Sequence, residues 1–237
     1  MSHIPTITVI AHVYYPFSWA LIKKKCKNIL AGSENILISS CYDDVIQEID
    51  EDRAIIFKVS NLGKDIGGKL VSLKYYLEFC NKTDLIIFLH DKISPQTINS
   101  TYWFDKLYEV FAPDKFHNVL AIFKKNEKVG MIGSKQFLKN EYIRSTGSFD
   151  TTNSDIILSC MKEHNIQSKE YDFIAGSIFI VRSLIYENFF CEVNPLQIRA
   201  LLEPGNVLDL SHGTYTHAWE RLLSFIVSSQ NYKVHGI

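Results

Sequence analysis

Asp84-Leu-Ile-Ile-Phe-Leu-His-Asp-Lys92 is the stretch on which the fold turns. From Asp84 to His90 it is strongly apolar, without the in–out alternation of a half-solvated strand. It therefore reads as a strand covered on both faces, as in helix-flanked parallel sheets. Upstream, Gly63, Gly67 and Gly68 precede a helical pattern through Leu70, Leu73, Tyr76 and Leu77. Further back lie strands at Arg53 to Val59, Asn35 to Ser40 and Ile7 to Val13, with helical spacing at Trp19, Leu21, Ile22, Cys26, Ile29 and Leu30 and a short helix at Asp43 to Ile49. Strands that alternate with helices predict an α/β fold built on a mostly parallel sheet.

Downstream, an aromatic helical stretch (Tyr102, Trp103, Phe104, Leu107, Tyr108, Phe111) leads to a short strand at Val129 to Ile132. Lys139 to Asp155 is polar and turn-rich, an acceptor-facing loop in this reading, and a helix is expected over Ile156 to Glu163. Tyr171 to Val181 reads as one strand around Gly176, and Thr216 to Ser228 has the spacing of an amphipathic helix. No repeat or low-complexity linker divides the chain, so one domain is expected over 1–237.

Composition narrows the function. The 237 residues are 46% hydrophobic, enough for a substantial core, and a net charge of -1 gives no basic field of the sort that nonspecific nucleic-acid binding needs. Cys26, Cys41, Cys80, Cys160 and Cys191 are odd in number and include no C-x-x-C pair, which argues against a zinc site or disulfide framework and fits a reducing cytosol. The N-terminal run has no basic leader, and no apolar stretch nears the ~20 residues that span a bilayer, so membrane contact is expected to be peripheral at most. Lys23, Lys24, Lys25 and Lys27 suit acidic headgroups or, more simply, a solvated helix face.

Four segments carry candidate chemistry. In Asn61-Leu-Gly-Lys-Asp-Ile-Gly-Gly68, glycines let backbone approach a ligand and the next helix N-terminus favours a diphosphate; the plain alternative is a turn capped by Asp65. The Walker pattern G-x-x-x-x-G-K-[ST] is not completed, because Leu70 stands where Ser or Thr would follow Lys69, and the dinucleotide spacing G-x-G-x-x-G is absent, which argues against a nucleotide-dependent oxidoreductase. His90-Asp91-Lys92 sits at a strand's carboxyl end, where α/β sheets bind ligands; Asp91 suits a hard cation and Lys92 a phosphate, although a lone Asp there also makes an ordinary turn. Gly176 and Ser177 interrupt a hydrophobic strand, either for a sugar or for tight packing. Finally, His217, Glu220 and Arg221 share a helix region with Tyr215 and Trp219, which are available to stack on a sugar ring.

In order, His12-Val-Tyr-Tyr-Pro16 with Trp19, Asn61 to Gly67, Leu89-His-Asp-Lys92, Val129-Gly-Met-Ile-Gly133, Phe173-Ile-Ala-Gly-Ser177 with Arg182, and His217-Ala-Trp-Glu-Arg221 resemble the rhamnan synthesis protein F family of polysaccharide glycosyltransferases. The resemblance spans nearly the whole chain. It implies a Rossmann-like, A-type glycosyltransferase sheet with helices on both faces, residues 1–135 binding a nucleoside-diphosphate sugar and 136–237 facing the acceptor. The implied acceptor is a lipid-linked glycan, as O-antigen, capsule or rhamnan, at the cytoplasmic face of the membrane. The chain departs from the family at His90-Asp91-Lys92 and has no D-x-D at that strand end, so dependence on Mg²⁺ or Mn²⁺ rests there on Asp91 alone.

An inverting transfer needs a base on the acceptor side and cationic or N–H groups at the leaving diphosphate. Glu220 or His217 is expected to supply the base. The donor side is expected to use His12, Tyr14, Asn61, Gly63, Asp65, Gly67, His90, Lys92, Gly176 and Arg221, with Asp91 for metal. The rival reading is a noncatalytic carbohydrate-binding or assembly module of a polysaccharide synthase.

Overall fold

Runs of β-branched and aliphatic residues build the strands, and amphipathic stretches between them build the helices. The structure is a computed structural model and describes residues 4–92 and 100–237. The first half runs β1 (Ile7–Val13), α1 (Ser18–Gly32), β2 (Asn35–Ser40), α2 (Asp43–Gln47), β3 (Ala54–Lys58), α3 (Lys64–Phe79) and β4 (Leu85–His90). Next come α4 (Ser100–Tyr108), α5 (Pro113–Lys125), β5 (Val129–Gly133), β6 (Leu138–Asn140), β7 (Tyr142–Ile143), β8 (Ser148–Phe149) and α6 (Ser154–Glu163). The chain closes with β9 (Asp172–Ile174), β10 (Phe179–Arg182), α7 (Ser183–Phe190), α8 (Pro195–Ala200), α9 (Tyr215–Ser229) and β11 (Lys233–Gly236).

Seven strands form the central sheet in the order β11-β5-β10-β4-β1-β2-β3. Neighbours pair in parallel, except that β10 runs antiparallel to both β4 and β5. This is the mixed, mainly parallel, Rossmann-like α/β arrangement that the alternation predicts. The stretches 1–135 and 136–237 share the sheet, because β10 and β11 complete what β1 to β5 begin.

Pleating sends alternate residues of β4 to opposite faces. Ile86 and Phe88 join one core with Leu73, Tyr76, Phe179, Trp219 and Phe225, under α3, α7 and α9. Leu85, Ile87 and Leu89 join the other with Trp19, Ile22, Phe104, Leu107 and Phe123, under α1, α4 and α5. Helices cover both faces, which is why β4 needs no polar alternation.

The single strand expected over Tyr171 to Val181 is two. β9 pairs with β6 in a small separate sheet, whereas β10 enters the central one. Gly176 (φ 86°) and Ser177 (φ 46°) lie between them in the left-handed region, which ends one strand and re-aims the next. Because β10 is reversed, it begins at the edge where β1, β2, β4 and β5 end, and this places Gly176 and Ser177 beside His90.

Gly67 is required by packing of α3: a Cβ there would lie 1.7 Å from the backbone oxygen of Leu62. Gly67→Ala is expected to cost about 1–3 kcal/mol or more through overpacking. A denaturant midpoint that matches the parent would show that the turn relaxes freely.

Candidate functional site at the carboxyl edge of the sheet

Beneath the carboxyl edge lies an ammonium group sealed from water. Lys69, 1% exposed, projects from α3 beside Gly68 and donates through Nζ to Asp65 Oδ2 (2.8 Å), Ser177 O (2.8 Å), Ser177 Oγ (2.9 Å) and His90 Nδ1 (2.9 Å). The ammonium group has three protons for these four partners, so two of them share one, and His90 Nδ1 also lies 3.4 Å from Asp65 Oδ2. Ser177 Oγ in turn donates to Asp65 Oδ2 at 2.5 Å. Burial pushes Asp65 up, but His90, Lys69 and Lys92 outweigh it and hold the carboxyl well below the usual range. Burial lowers both Lys69 and His90, with Asp65 opposing in each case.

Above this network opens a cleft of about 300 Å³ lined by Lys92, Tyr102, Trp103, Gly176 and Glu220, among others. Tyr102 and Trp103 are half exposed, at 51% and 50%, and offer aromatic faces. Glu220 Oε1 accepts the Gly176 N–H at 2.6 Å, which ties α9 to the turn that Lys69 holds. His217 Nδ1 lies 2.6 Å from Thr214 Oγ1, and its Nε2 lies 3.4 Å from Lys64 Nζ. Lys64 can only donate, so Nε2 accepts and Nδ1–H points at Thr214. Burial and then Lys64 depress His217, against Asp209 and Glu220; burial and then Lys92 depress Lys64. Lys64 and Lys92 thus bring two cations to the start of α3, whose first turn has no side-chain cap.

A further set sits at the ends of β1 to β3. Tyr14 Oη meets Tyr42 Oη (2.9 Å) and accepts from Asn61 (3.4 Å) and Asn206 (3.3 Å). Residues 203–214 strap across this region: Asn206 holds to Asn61 and Tyr14, while Asp209 accepts from Asn153 at 2.8 Å and lies 3.9 Å from His217. His12 packs against Gly68 and meets Ser39 Oγ at 3.0 Å through Nδ1. Its Nε2, Asn61 Oδ1 and Arg199 Nε are buried side-chain atoms without a hydrogen-bond partner among the described residues.

Several residues expected to touch ligand have other tasks. Asp91, the expected metal ligand, is 6% exposed, and its Oδ2 accepts from Tyr14 N (2.8 Å), Tyr15 N (2.6 Å) and Ser18 Oγ (2.6 Å), fixing the loop into α1. Burial raises its pKa to about 6 against those bonds. Asp65 Oδ2 is likewise taken, and among the described residues no three His, Cys, Asp or Glu side chains converge. These residues do not fit a protein-held Mg²⁺ or Mn²⁺.

Arg221, expected at the donor, is 8% exposed and locked in a two-bond fork with Glu141: Nε to Oε2 at 2.7 Å and Nη2 to Oε1 at 2.9 Å. His90 lies in the buried network rather than against ligand. Gly63 packs on Leu202 and Gly67 on Leu62, so packing explains both without a phosphate. Asp65 stands in the first turn of α3 but does not cap it. Trp219, expected to stack on sugar, is fully buried; the cleft's exposed aromatics are Tyr102 and Trp103. Lys23 and Lys25 pair with Asp50 and Asp105. No described helix is long and apolar enough to cross a membrane.

Two outcomes are expected of the buried groups. Lys69→Met leaves Asp65 without its buried partner and is expected to cost about 3–5 kcal/mol, measured by denaturant unfolding. Burial, helped by Lys69 and Arg199 against Asp65, lowers His12 from 6.5 to about 4. The unfolded chain therefore takes up this proton before the folded one does. The His12 contribution is complete above pH 6.5 and is lost as pH falls toward 4, a loss of roughly 3 kcal/mol. Asp91 acts oppositely: its folded pKa is raised, so its contribution is complete below its ordinary 3.8 and fades as pH rises through 6. His12→Gln isolates the histidine term: the stability difference between parent and variant is expected to shift by roughly 3 kcal/mol, at the parent's expense, as pH falls from 6.5 to 4. A difference that stays constant over this range would show that His12 protonates without cost.

No family model matches the chain, and no curated protein does. Among solved structures it is similar to the bifunctional IspDF from Campylobacter jejuni, at 10% identity and a TM-score of 0.37 over 98% of this chain and 49% of that one. The chain thus spans about half the length of that protein. It is also similar to CMP:2-keto-3-deoxy-manno-octonic acid synthetase complexed with CTP, at 13% identity and a TM-score of 0.40 over 83% of each chain.

Proposed function

We propose that the chain is an A-type glycosyltransferase of the rhamnan synthesis protein F kind, which moves a sugar from a nucleoside diphosphate onto a growing, lipid-linked surface glycan. The observation that carries this reading is the cleft itself: Glu220, Lys92 and two exposed aromatic rings face one space of about 300 Å³ beside the uncapped start of α3. Aromatic faces suit a sugar ring, the carboxylate suits proton removal from a hydroxyl, and the cations suit a departing diphosphate. The acceptor class and a place at the cytoplasmic membrane face rest on the sequence resemblance.

In this mechanism the acceptor hydroxyl enters over Tyr102 and Trp103 and gives its proton to Glu220 as it attacks the anomeric carbon. The nucleoside diphosphate leaves from the opposite side toward Lys64, Lys92 and the free N–H groups of α3. The nucleoside lies toward Tyr14, Asn61 and the buried open valences of His12 and Asn61, under the 203–214 strap. Glu220 keeps its place through Gly176 while Oε2, 3.3 Å from Arg221, turns to the hydroxyl.

Calorimetry against a panel of nucleotide sugars tests the donor site, with one or more expected to bind and Lys92→Ala expected to weaken it about tenfold or more. Glu220→Gln keeps the Gly176 bond through its carbonyl and is expected to cut transfer about 10²-fold while donor affinity stays put. Transfer at the parent rate in Glu220→Gln, or a parent that binds no nucleotide sugar, would sink the reading.

A further inference from the structure

Past β5 the chain builds a second cavity, of about 290 Å³, on the small β6–β9 sheet and the β7–β8 hairpin. Strand β6 is the wall between it and the cleft. Lys139 lines the cleft and its neighbour Asn140 lines the second cavity, as the alternation of strand side chains requires. Glu141 follows and clamps Arg221, the neighbour of Glu220, and Tyr142 returns to the second cavity. The Glu141–Arg221 ion pair thus lies in sequence between residues that line the two spaces.

The chemistry of the second cavity is specific in kind. Tyr142 and Tyr171 lie ring against ring, 4.0 Å apart at 31°, and give it an aromatic patch. Arg144, Lys169, Glu170 and Asp172 surround them. Two cations and two anions exert no net pull on an ion. What they share is the capacity to exchange hydrogen bonds with hydroxyls, the carboxylates accepting and the guanidinium and ammonium donating. Asn140 Nδ2 donates to Asp172 Oδ1 at 2.8 Å and orients that carboxylate. An aromatic patch ringed by donors and acceptors of both charges matches a sugar ring, apolar on its C–H face and hydroxylated at its rim.

We propose that this cavity is a glycan subsite, which takes a neutral, hydroxyl-rich sugar unit of the acceptor chain back from its reacting end. As an acceptor subsite it rests on the reading of the cleft as the transfer site. A glycan lying over β6 places its end at Glu220 and an earlier unit against Tyr142. Chain length is thereby sensed beside the reaction rather than in it.

The test is equilibrium binding of neutral hexose and deoxyhexose oligosaccharides, and of uronic-acid oligosaccharides of equal length, from micromolar to millimolar concentration. The parent is expected to bind a neutral oligosaccharide. Tyr142→Ala and the surface double variant Arg144→Ala/Lys169→Ala are each expected to bind it at least tenfold more weakly, with nucleotide-sugar affinity unchanged. Since Tyr142 also packs on Phe149, the double variant serves as the control whose thermal midpoint stays with the parent. Unchanged neutral-glycan binding in both variants, a preference for the uronic series, or no neutral oligosaccharide bound at millimolar concentration would overturn the assignment. Variant-sensitive glycan binding in a parent that binds no nucleotide sugar would uphold the cavity as a glycan site and overturn the transfer reading alone.

Discussion

The ammonium group of Lys69 is the constraint on which the carboxyl edge depends. A lysine charge cut off from water is tolerated only where other groups replace its hydration, and here α3, the end of β4 and the turn into β10 each contribute. Meeting that need brings Asp65, His90 and Ser177 together. Of the two successive left-handed residues, Gly176 adopts its conformation freely, whereas Ser177 is strained and persists because both sides hold the turn: Lys69 and Asp65 grip Ser177, and Glu220 grips the Gly176 N–H. The position of Glu220 in the cleft is therefore inherited, through one backbone amide, from a charge beneath it.

The reversed strand makes this inheritance work. If β10 ran parallel to its neighbours, its leading turn would lie at the opposite edge, far from His90. Running antiparallel to β4, with Phe179 opposite Phe88, it delivers the turn to the ends of β1, β2 and β4. The later third of the chain thereby reaches the edge that the first third builds. The strap 203–214 adds a second crossing, through Asn206 to Tyr14 and Asn61.

Much of this was legible in the sequence, for identifiable reasons. The unbroken apolar run of β4 reports a strand covered on both faces, and α3 and α9 announce themselves by spacing. The direction of β10 was not legible, because the hydrophobic pattern of a buried strand is the same read either way. Lys69 left one faint signal, a charge beside Gly68 and Leu70 on a helix face otherwise apolar. It stands four residues after Asp65, however, where such pairs are usually solvated. Tyr102 and Trp103 shared the spacing of a core helix, and only packing separates the exposed rings from buried Phe104 and Leu107. Glu141 and Arg221 are 80 residues apart in sequence, so nothing local marks the fork that keeps Arg221 from a diphosphate.

The same geometry separates two candidates that stand one helical turn apart. His217 has both ring nitrogens engaged: Nδ1–H faces Thr214, and Nε2 receives a proton from Lys64. To act as a base it must release the Lys64 bond and become a cation next to Lys64 and Arg221, both of which depress its pKa. Its role is then to aim Lys64, since an ammonium group on a flexible stem needs an acceptor to fix its direction. Both Glu220 oxygens are engaged as well, but each carboxylate oxygen keeps a further lone pair open to a donor. One oxygen is anchored to a backbone amide, the other faces Arg221 at 3.3 Å, and the side chain lines the cleft. In the proposed transfer the carboxylate takes the hydroxyl proton and the histidine holds the leaving side in place.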